Sequence, residues 1–153
     1  MIDVESFSKY SLFGGFKSED LAKISHLFGF TAYAAGDEII REGSRNDTIY
    51  FIQSGRAAVS RRGVPILELR EGDTFGEMEV LDVMPAVASI RAVDEVRGAT
   101  ISNRALHEIY RLDPKIFSLF MMNLARDLSR RLRRMDELAC PEAPAAEEPA
   151  LAV

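Results

Sequence analysis

Cysteine and histidine are scarce in this chain of 153 residues, which has one cysteine and two histidines. Because a disulfide needs two thiols, Cys140 cannot form one within the chain, and such sparse cysteine is typical of a reducing compartment. The sequence contains no nucleophile–base constellation and no cluster of residues with metal-ligand spacing. We therefore expect a cytoplasmic protein that is not an enzyme and holds no metal.

Long apolar runs and an excess of positive charge are also missing. No apolar run approaches the roughly 18 residues that a membrane span requires, and residues 1–5 lack the basic flank and apolar core of a secretory signal. The net charge of −5 argues against a surface built to hold the DNA backbone. We therefore expect no membrane partner and no DNA-binding domain.

Short apolar runs separated by turn residues are abundant in the middle of the chain. Glycine-containing turns recur there at Gly36, Gly43, Gly55 and Gly72. Several short strands at roughly 8–12-residue spacing predict a rolled all-β unit and not a series of βαβ units.

Helical patterns flank this β-rich region on both sides. Ser18 is predicted to cap a helix before the roll, and Ser102 and Asp113 to cap two helices after it. The predicted organisation is an N-terminal helical segment at 1–30, a β-roll at 31–101, C-terminal helices at 102–138 and a disordered tail at 139–153. The tail is predicted from its proline, alanine and glutamate without pattern.

One stretch within the roll, residues 75–90, has the pattern of a binding site. A glycine after an aromatic residue, followed by an acidic residue and an apolar run, predicts a turn that leads into a short helix. Backbone N–H groups at such a helix start favour a small anion. The candidate ligand-binding residues are Phe75, Gly76, Glu77, Met78, Ala86, Val87 and Ser89.

These motifs together resemble the cyclic-nucleotide-binding domain family. The resemblance rests on Gly36 through Gly43, on Ile49 through Val59, on Phe75-Gly76-Glu77 and on Pro85 at the family's spacing. It implies an α+β fold in which an antiparallel, jelly-roll-like β-roll is flanked by N-terminal helices and a long C-terminal helix. It also implies a phosphate-binding cassette, with cAMP and cGMP as candidate ligands and no cofactor.

The cassette departs from the family pattern at its most important position. The family places an arginine after the proline to hold the cyclic phosphate, and this chain has Ala86 there. Val87 and Glu79 replace residues that are usually small, whereas Glu77, the family's usual acceptor for the ribose 2′-hydroxyl, is retained. The resemblance therefore predicts weakened cAMP and cGMP binding. Whether Arg91 substitutes for the missing arginine stays open, because strand alternation alone does not fix the face on which it lies.

The last helix carries a heptad seam that predicts a homodimer. The seam residues are Met121, Leu124, Leu128, Met135 and Leu138, and Arg131 interrupts the pattern. In the family, the corresponding helix often pairs two protomers and covers the nucleotide pocket. The other arginines of this helix, Arg126, Arg130, Arg133 and Arg134, are predicted to form a solvated face near the seam, with nucleic-acid binding as the alternative.

Two functions follow from these patterns. The first is a stand-alone regulatory protein that senses a small ligand in the roll and transmits the signal through the last helix. The second is a degenerate roll that binds no nucleotide and serves as a dimerisation or protein-interaction module.

Overall fold

The computed structural model describes residues 4–141, and the side chains from residue 6 onward. Before the roll lie short 3₁₀ segments at Val4–Lys9, Ser11–Phe13 and Ser25–Leu27 and helix α1 at Ser18–Ile24. The prediction that Ser18 caps α1 is wrong, since Lys17 is the N-cap residue. The Lys17 backbone N–H donates to the carboxylate of Asp20 at 2.9 Å, so Ser18 is the first helical residue.

Eight strands in the described residues form two antiparallel sheets of four strands each. They are β1 (Gly29–Tyr33), β2 (Glu38–Ile40), β3 (Thr48–Ser54), β4 (Ala57–Arg61), β5 (Val64–Leu69), β6 (Thr74–Phe75), β7 (Ser89–Ala92) and β8 (Val96–Ser102). The strand orders are β1-β8-β3-β6 and β2-β7-β4-β5. The first strand begins at Gly29, two residues before the predicted boundary of the roll.

A buried cluster of apolar side chains lies inside the roll and joins the two sheets. Both sheets contribute to it, because Ile52 and Val96 come from the first and Ile90 and Ala92 from the second. Together with the helices on either side, this arrangement confirms the predicted β-roll fold.

Three further helices complete the chain: α2 (Glu77–Asp82), α3 (Asn103–Leu112) and α4 (Pro114–Ala139). Both predicted caps at α3 and α4 are confirmed. The Ser102 hydroxyl accepts from the Ala105 backbone N–H at 3.0 Å, and the Asp113 carboxylate accepts from the Lys115 backbone N–H at 3.0 Å. These side chains satisfy N–H groups that have no partner within a helix.

The first half of α4 packs on a second apolar cluster, between the helices and the first sheet. Phe120 and Leu124 lie in this cluster with the aromatic rings of the N-terminal segment. Asn123, which is buried, donates from its amide to the carbonyl oxygens of Leu12 at 3.0 Å and Gly14 at 2.9 Å. These bonds fix the register of α4 against the start of the chain.

The predicted dimer seam is divided by this packing. Leu124 is only 1% exposed, and Met121 and Leu128 pack partly buried against the same cluster. The single chain therefore covers the first half of the seam, because the N-terminal aromatics and the first sheet fill that side. Beyond it, Met135 and Leu138 are exposed.

None of the helices within residues 4–141 is both long and apolar enough to span a membrane. Helix α4 ends at Ala139, one residue beyond the predicted end of the helical region. Most of the predicted disordered tail, residues 142–153, lies outside the described residues.

Candidate functional site

The turn that begins α2 depends on the absence of a side chain at Gly76. This residue has φ of +80°, and a Cβ built on it would lie 2.5 Å from the Thr48 carbonyl oxygen and 2.7 Å from Nδ2 of Asn46. The Asn46 amide donates to the carbonyl oxygens of Thr48 at 2.8 Å and Gly76 at 3.1 Å. Asn46 therefore ties the turn to the start of β3, a role that no sequence pattern indicated.

The residues on either side of the turn differ in burial. Phe75 is buried, and its ring stacks on that of Tyr50 with centroids 4.8 Å apart and planes 2° from parallel. Glu77 is also buried, whereas Met78 is exposed. The turn thus directs one carboxylate inward from the first position of α2.

The residues after α2 lie in two environments. Ala86 is buried in the core of the roll, and its backbone N–H and carbonyl pair with Ser44 O at 2.9 Å and Gly43 N at 2.7 Å. Ser89 accepts a hydrogen bond from the Glu42 backbone N–H at 3.0 Å, so its hydroxyl already fixes a neighbouring loop. Val87 is exposed.

The position of Arg91 follows from strand alternation in β7. Ile90 and Ala92 are buried, and Arg91 between them is exposed. Its guanidinium donates to the Gly36 carbonyl at 2.6 Å and pairs with Glu38 at 3.4 Å. Arg91 therefore lies on the outside of the roll, and its guanidinium does not line the cavity described below.

The cation that does reach the inside comes from α4. Nη1 of Arg131 lies 2.7 Å from Oε1 of Glu77, and its Nη2 donates to the Thr74 carbonyl oxygen. The side chain of Arg131 is 16% exposed and that of Glu77 is 1% exposed. This charge-assisted pair joins the last third of α4 to the first residue of α2.

Burial dominates the electrostatics of the pair. It raises the pKa of the Glu77 carboxyl, although the Arg131 charge acts in the opposite direction. Burial also raises the pKa of Glu79, two residues further along α2. Among the described residues, the buried side-chain polar atoms without a hydrogen-bond partner are Oγ1 of Thr74, Oε2 of Glu77 and Nε of Arg131. All three belong to residues of this one contact network.

A cavity of about 130 Å³ lies beside the pair. Five of the predicted ligand-binding residues line it, namely Phe75, Gly76, Glu77, Met78 and Val87, whereas Ala86 and Ser89 do not. Two residues of α4, Arg131 and Met135, close one side. Within residues 4–141, no group of His, Cys, Asp and Glu side chains is arranged to hold a metal ion.

Comparison with known proteins identifies relatives of known regulatory type. The cAMP-dependent protein kinase regulatory subunit of Debaryomyces hansenii is 36% identical over 85 residues, which are 55% of this chain and 19% of that protein. The CRP-like cAMP-activated global transcriptional regulator of Mycobacterium tuberculosis is 25% identical over 145 residues, 92% of this chain and 65% of that protein. The chain thus spans about a fifth of the length of the kinase subunit.

Solved structures show the same fold. A cyclic nucleotide-binding domain from Methylobacillus flagellatus superposes with a TM-score of 0.82 at 25% identity, covering 94% of this chain and 84% of that one. The Thermus thermophilus catabolite activator protein superposes with a TM-score of 0.71 at 27% identity, covering 84% of this chain and 61% of that one. The family model for the cyclic nucleotide-binding domain matches residues 30–113. The chain therefore belongs to the cyclic nucleotide-binding domain family.

Proposed function

We propose that this protein is a cytoplasmic regulatory sensor that binds a small ligand in the β-roll and transmits the binding event through α4. The observation that carries the proposal is the contact between Glu77 and Arg131. A ligand that engages Glu77 or displaces α2 must also change the environment of Arg131. Because Arg131 belongs to α4, the end of that helix responds to what occupies the roll.

Ordinary cAMP and cGMP binding is weak in this proposal, because Ala86 supplies no cation to the cyclic phosphate. Truncating one partner of a buried charged pair typically costs about 2–5 kcal/mol. At about 1.4 kcal/mol per decade, the deficit is roughly thirty- to several-thousand-fold against a cassette that has its arginine.

The second candidate is a roll that works as a dimerisation or protein-interaction module without any ligand. The exposed apolar side chains at the end of α4, Leu132, Met135 and Leu138, favour it. Homodimerisation through this end of α4 is compatible with both candidates. A ligand response that reaches α4 separates them.

Calorimetric titration with cAMP and cGMP tests the binding step. We expect feeble binding by the wild type and tighter binding by Ala86→Arg. Because Ala86 is buried in the core of the roll, the thermal midpoint of the Ala86→Arg variant must be compared with that of the wild type. Val87→Arg provides a second way to place a guanidinium beside the cavity, since Val87 lines it and is exposed. Tight binding by the wild type would contradict the proposed role of Ala86.

The transmission step can be read at the chain's single cysteine. Cys140 is exposed at the end of α4, so an environment-sensitive fluorophore there reports on the helix without further substitution. We expect saturating cyclic nucleotide to change the fluorescence of labelled Ala86→Arg. We expect the change to be lost when Arg131 is also replaced by methionine, at a temperature at which circular dichroism shows that this variant is folded. Binding without a fluorescence change would show that α4 does not respond, and no binding by any variant would favour the interaction module.

A further inference from the structure

The charges that line the cavity of the roll are unfavourable for an anion. Its charged residues, among those that the structure describes, are Glu77, Glu79 and Arg131, and the rest are apolar side chains and one glycine. Two carboxylates and one guanidinium leave a formal surplus of negative charge. A ligand phosphate would add another negative charge in a site where apolar walls strengthen repulsion.

The two terminal nitrogens of the one guanidinium in the cavity already have partners. Arg131 donates to Oε1 of Glu77 and to the Thr74 carbonyl. A phosphate that took Nη1 of Arg131 would separate it from Glu77, which is 1% exposed and would then be a buried carboxylate without a counter-charge. The position that holds the cation in the family is the buried Ala86, and Arg91 lies outside the roll.

Two of the buried polar atoms without a partner belong to residues that line the cavity, the acceptor Oε2 of Glu77 and the donor Nε of Arg131. Oε2 of Glu77 is buried and has no partner among the described residues. A buried acceptor without a donor is costly, so a group that donates to it is stabilised. A hydroxyl is such a group, because it has one O–H donor and carries no charge.

We propose that the cavity takes an uncharged ligand, with an apolar ring as its body and at least one hydroxyl group that donates to Oε2 of Glu77. The cavity of about 130 Å³ is close to the roughly 150 Å³ of an apolar cavity that binds benzene, so one ring fits and a larger body extends through the opening. This inference rests on the proposed function and specifies the ligand class that the sensor recognises.

Matched pairs that differ by the cyclic phosphate test this selectivity. The probes are adenosine against cAMP and guanosine against cGMP, titrated calorimetrically into the full chain at physiological salt. We expect at least one nucleoside to bind about ten-fold or more tightly than its cyclic nucleotide, because the phosphate meets unpaired negative charge. Glu77→Gln should weaken nucleoside binding, since it removes the carboxylate that accepts the hydrogen bond from the hydroxyl.

Glu79→Gln is the matched control, because it removes one negative charge from the lining and leaves Glu77 in place. We expect this substitution to reduce the difference in affinity between the nucleoside and the cyclic nucleotide, because only the cyclic nucleotide should bind more tightly. A cyclic nucleotide that binds more tightly than its nucleoside in the wild type overturns the inference but leaves a ligand sensor intact. No binding of any of the four probes overturns both the inference and the proposed function.

Discussion

Replacing Arg131 with methionine should destabilise the protein by stranding the Glu77 carboxylate. The two side chains are 2.7 Å apart, and Glu77 is almost completely buried. Removing one partner of a buried ion pair typically costs about 3–5 kcal/mol, because the remaining charge has neither water nor a counter-ion. Methionine retains much of the apolar length of the arginine stem, so lost packing contributes little to the effect.

The loss of stability in Arg131→Met should depend on pH, in a direction set by the Glu77 carboxyl. Burial raises the pKa of Glu77 and Arg131 opposes that rise, so Arg131→Met should raise the pKa further. A carboxyl whose pKa is raised in the folded state binds its proton more tightly there than in the unfolded chain. The contribution of such a carboxyl to stability is present below the ordinary glutamate pKa of about 4.3. It is lost as the pH rises through the pKa of the carboxyl in the folded state. The deficit of Arg131→Met should therefore be smaller at about pH 5 than at about pH 8.

Urea unfolding followed by circular dichroism measures the deficit as a difference in the free energy of unfolding. Glu77→Gln and the double variant Glu77→Gln/Arg131→Met complete a double-mutant cycle. We expect the double variant to be more stable than Arg131→Met at about pH 8, because it holds no buried carboxylate. A deficit that is equal at both pH values, or a double variant no better than Arg131→Met, would refute the buried pair as the cause.

Three further predictions concern the turn, the end of α4 and the C-terminal tail. Gly76→Ala should lower the free energy of unfolding by more than about 2 kcal/mol, because its Cβ would meet Thr48 and Asn46. Gly36→Ala, at φ +90° in open space, should lower it only by the roughly 1–2 kcal/mol of a left-handed backbone. Urea unfolding measures both variants. Leu138→Arg should shift a dimer toward monomer in light scattering, and Glu137→Arg, an exposed control on another face of α4, should not. Deleting 142–153 should leave the thermal midpoint within about a degree or two, since such a composition buries little apolar surface.

The helix starts after the roll could be predicted because their determinants are local in sequence. The helix caps at Ser102 and Asp113 are short-range hydrogen bonds, and their residue types and spacing announce them. The family resemblance then supplied the arrangement of the strands into a roll, which the turn spacing alone did not define. At Ser18 the same kind of reasoning was wrong, because the carboxylate of Asp20 accepts from the backbone N–H of Lys17 and Lys17 is the N-cap residue.

Long-range polar contacts could not be predicted in this way. Asn46 joins the Gly76 turn to β3, and Asn123 joins α4 to the N-terminal segment over 109 and 111 residues of sequence. Asn46 is a single amide in a stretch without a motif, and Asn123 is a single amide between the seam residues Met121 and Leu124, where the heptad pattern does not mark it. The hydrogen bonds of each amide depend on a second segment of backbone that only the folded structure brings within reach.

Arg131 is an intermediate case, since the sequence held a signal for it but not for its partner. The sequence pattern predicts only that Arg131 interrupts the seam. A charged residue in an otherwise apolar helical stripe is rarely buried without a counter-charge, and this rule would have allowed a buried acidic partner to be inferred. Glu77 is 54 residues away, and only the fold identifies it. The family's cassette carries its own cation, whereas here the cation beside the cavity comes from α4. If α4 moves away, the lining retains Glu77 and Glu79 without Arg131, and the negative surplus grows. We therefore expect an anionic ligand to bind poorly with α4 in place or moved away, and an uncharged ligand with a hydroxyl group to escape this penalty.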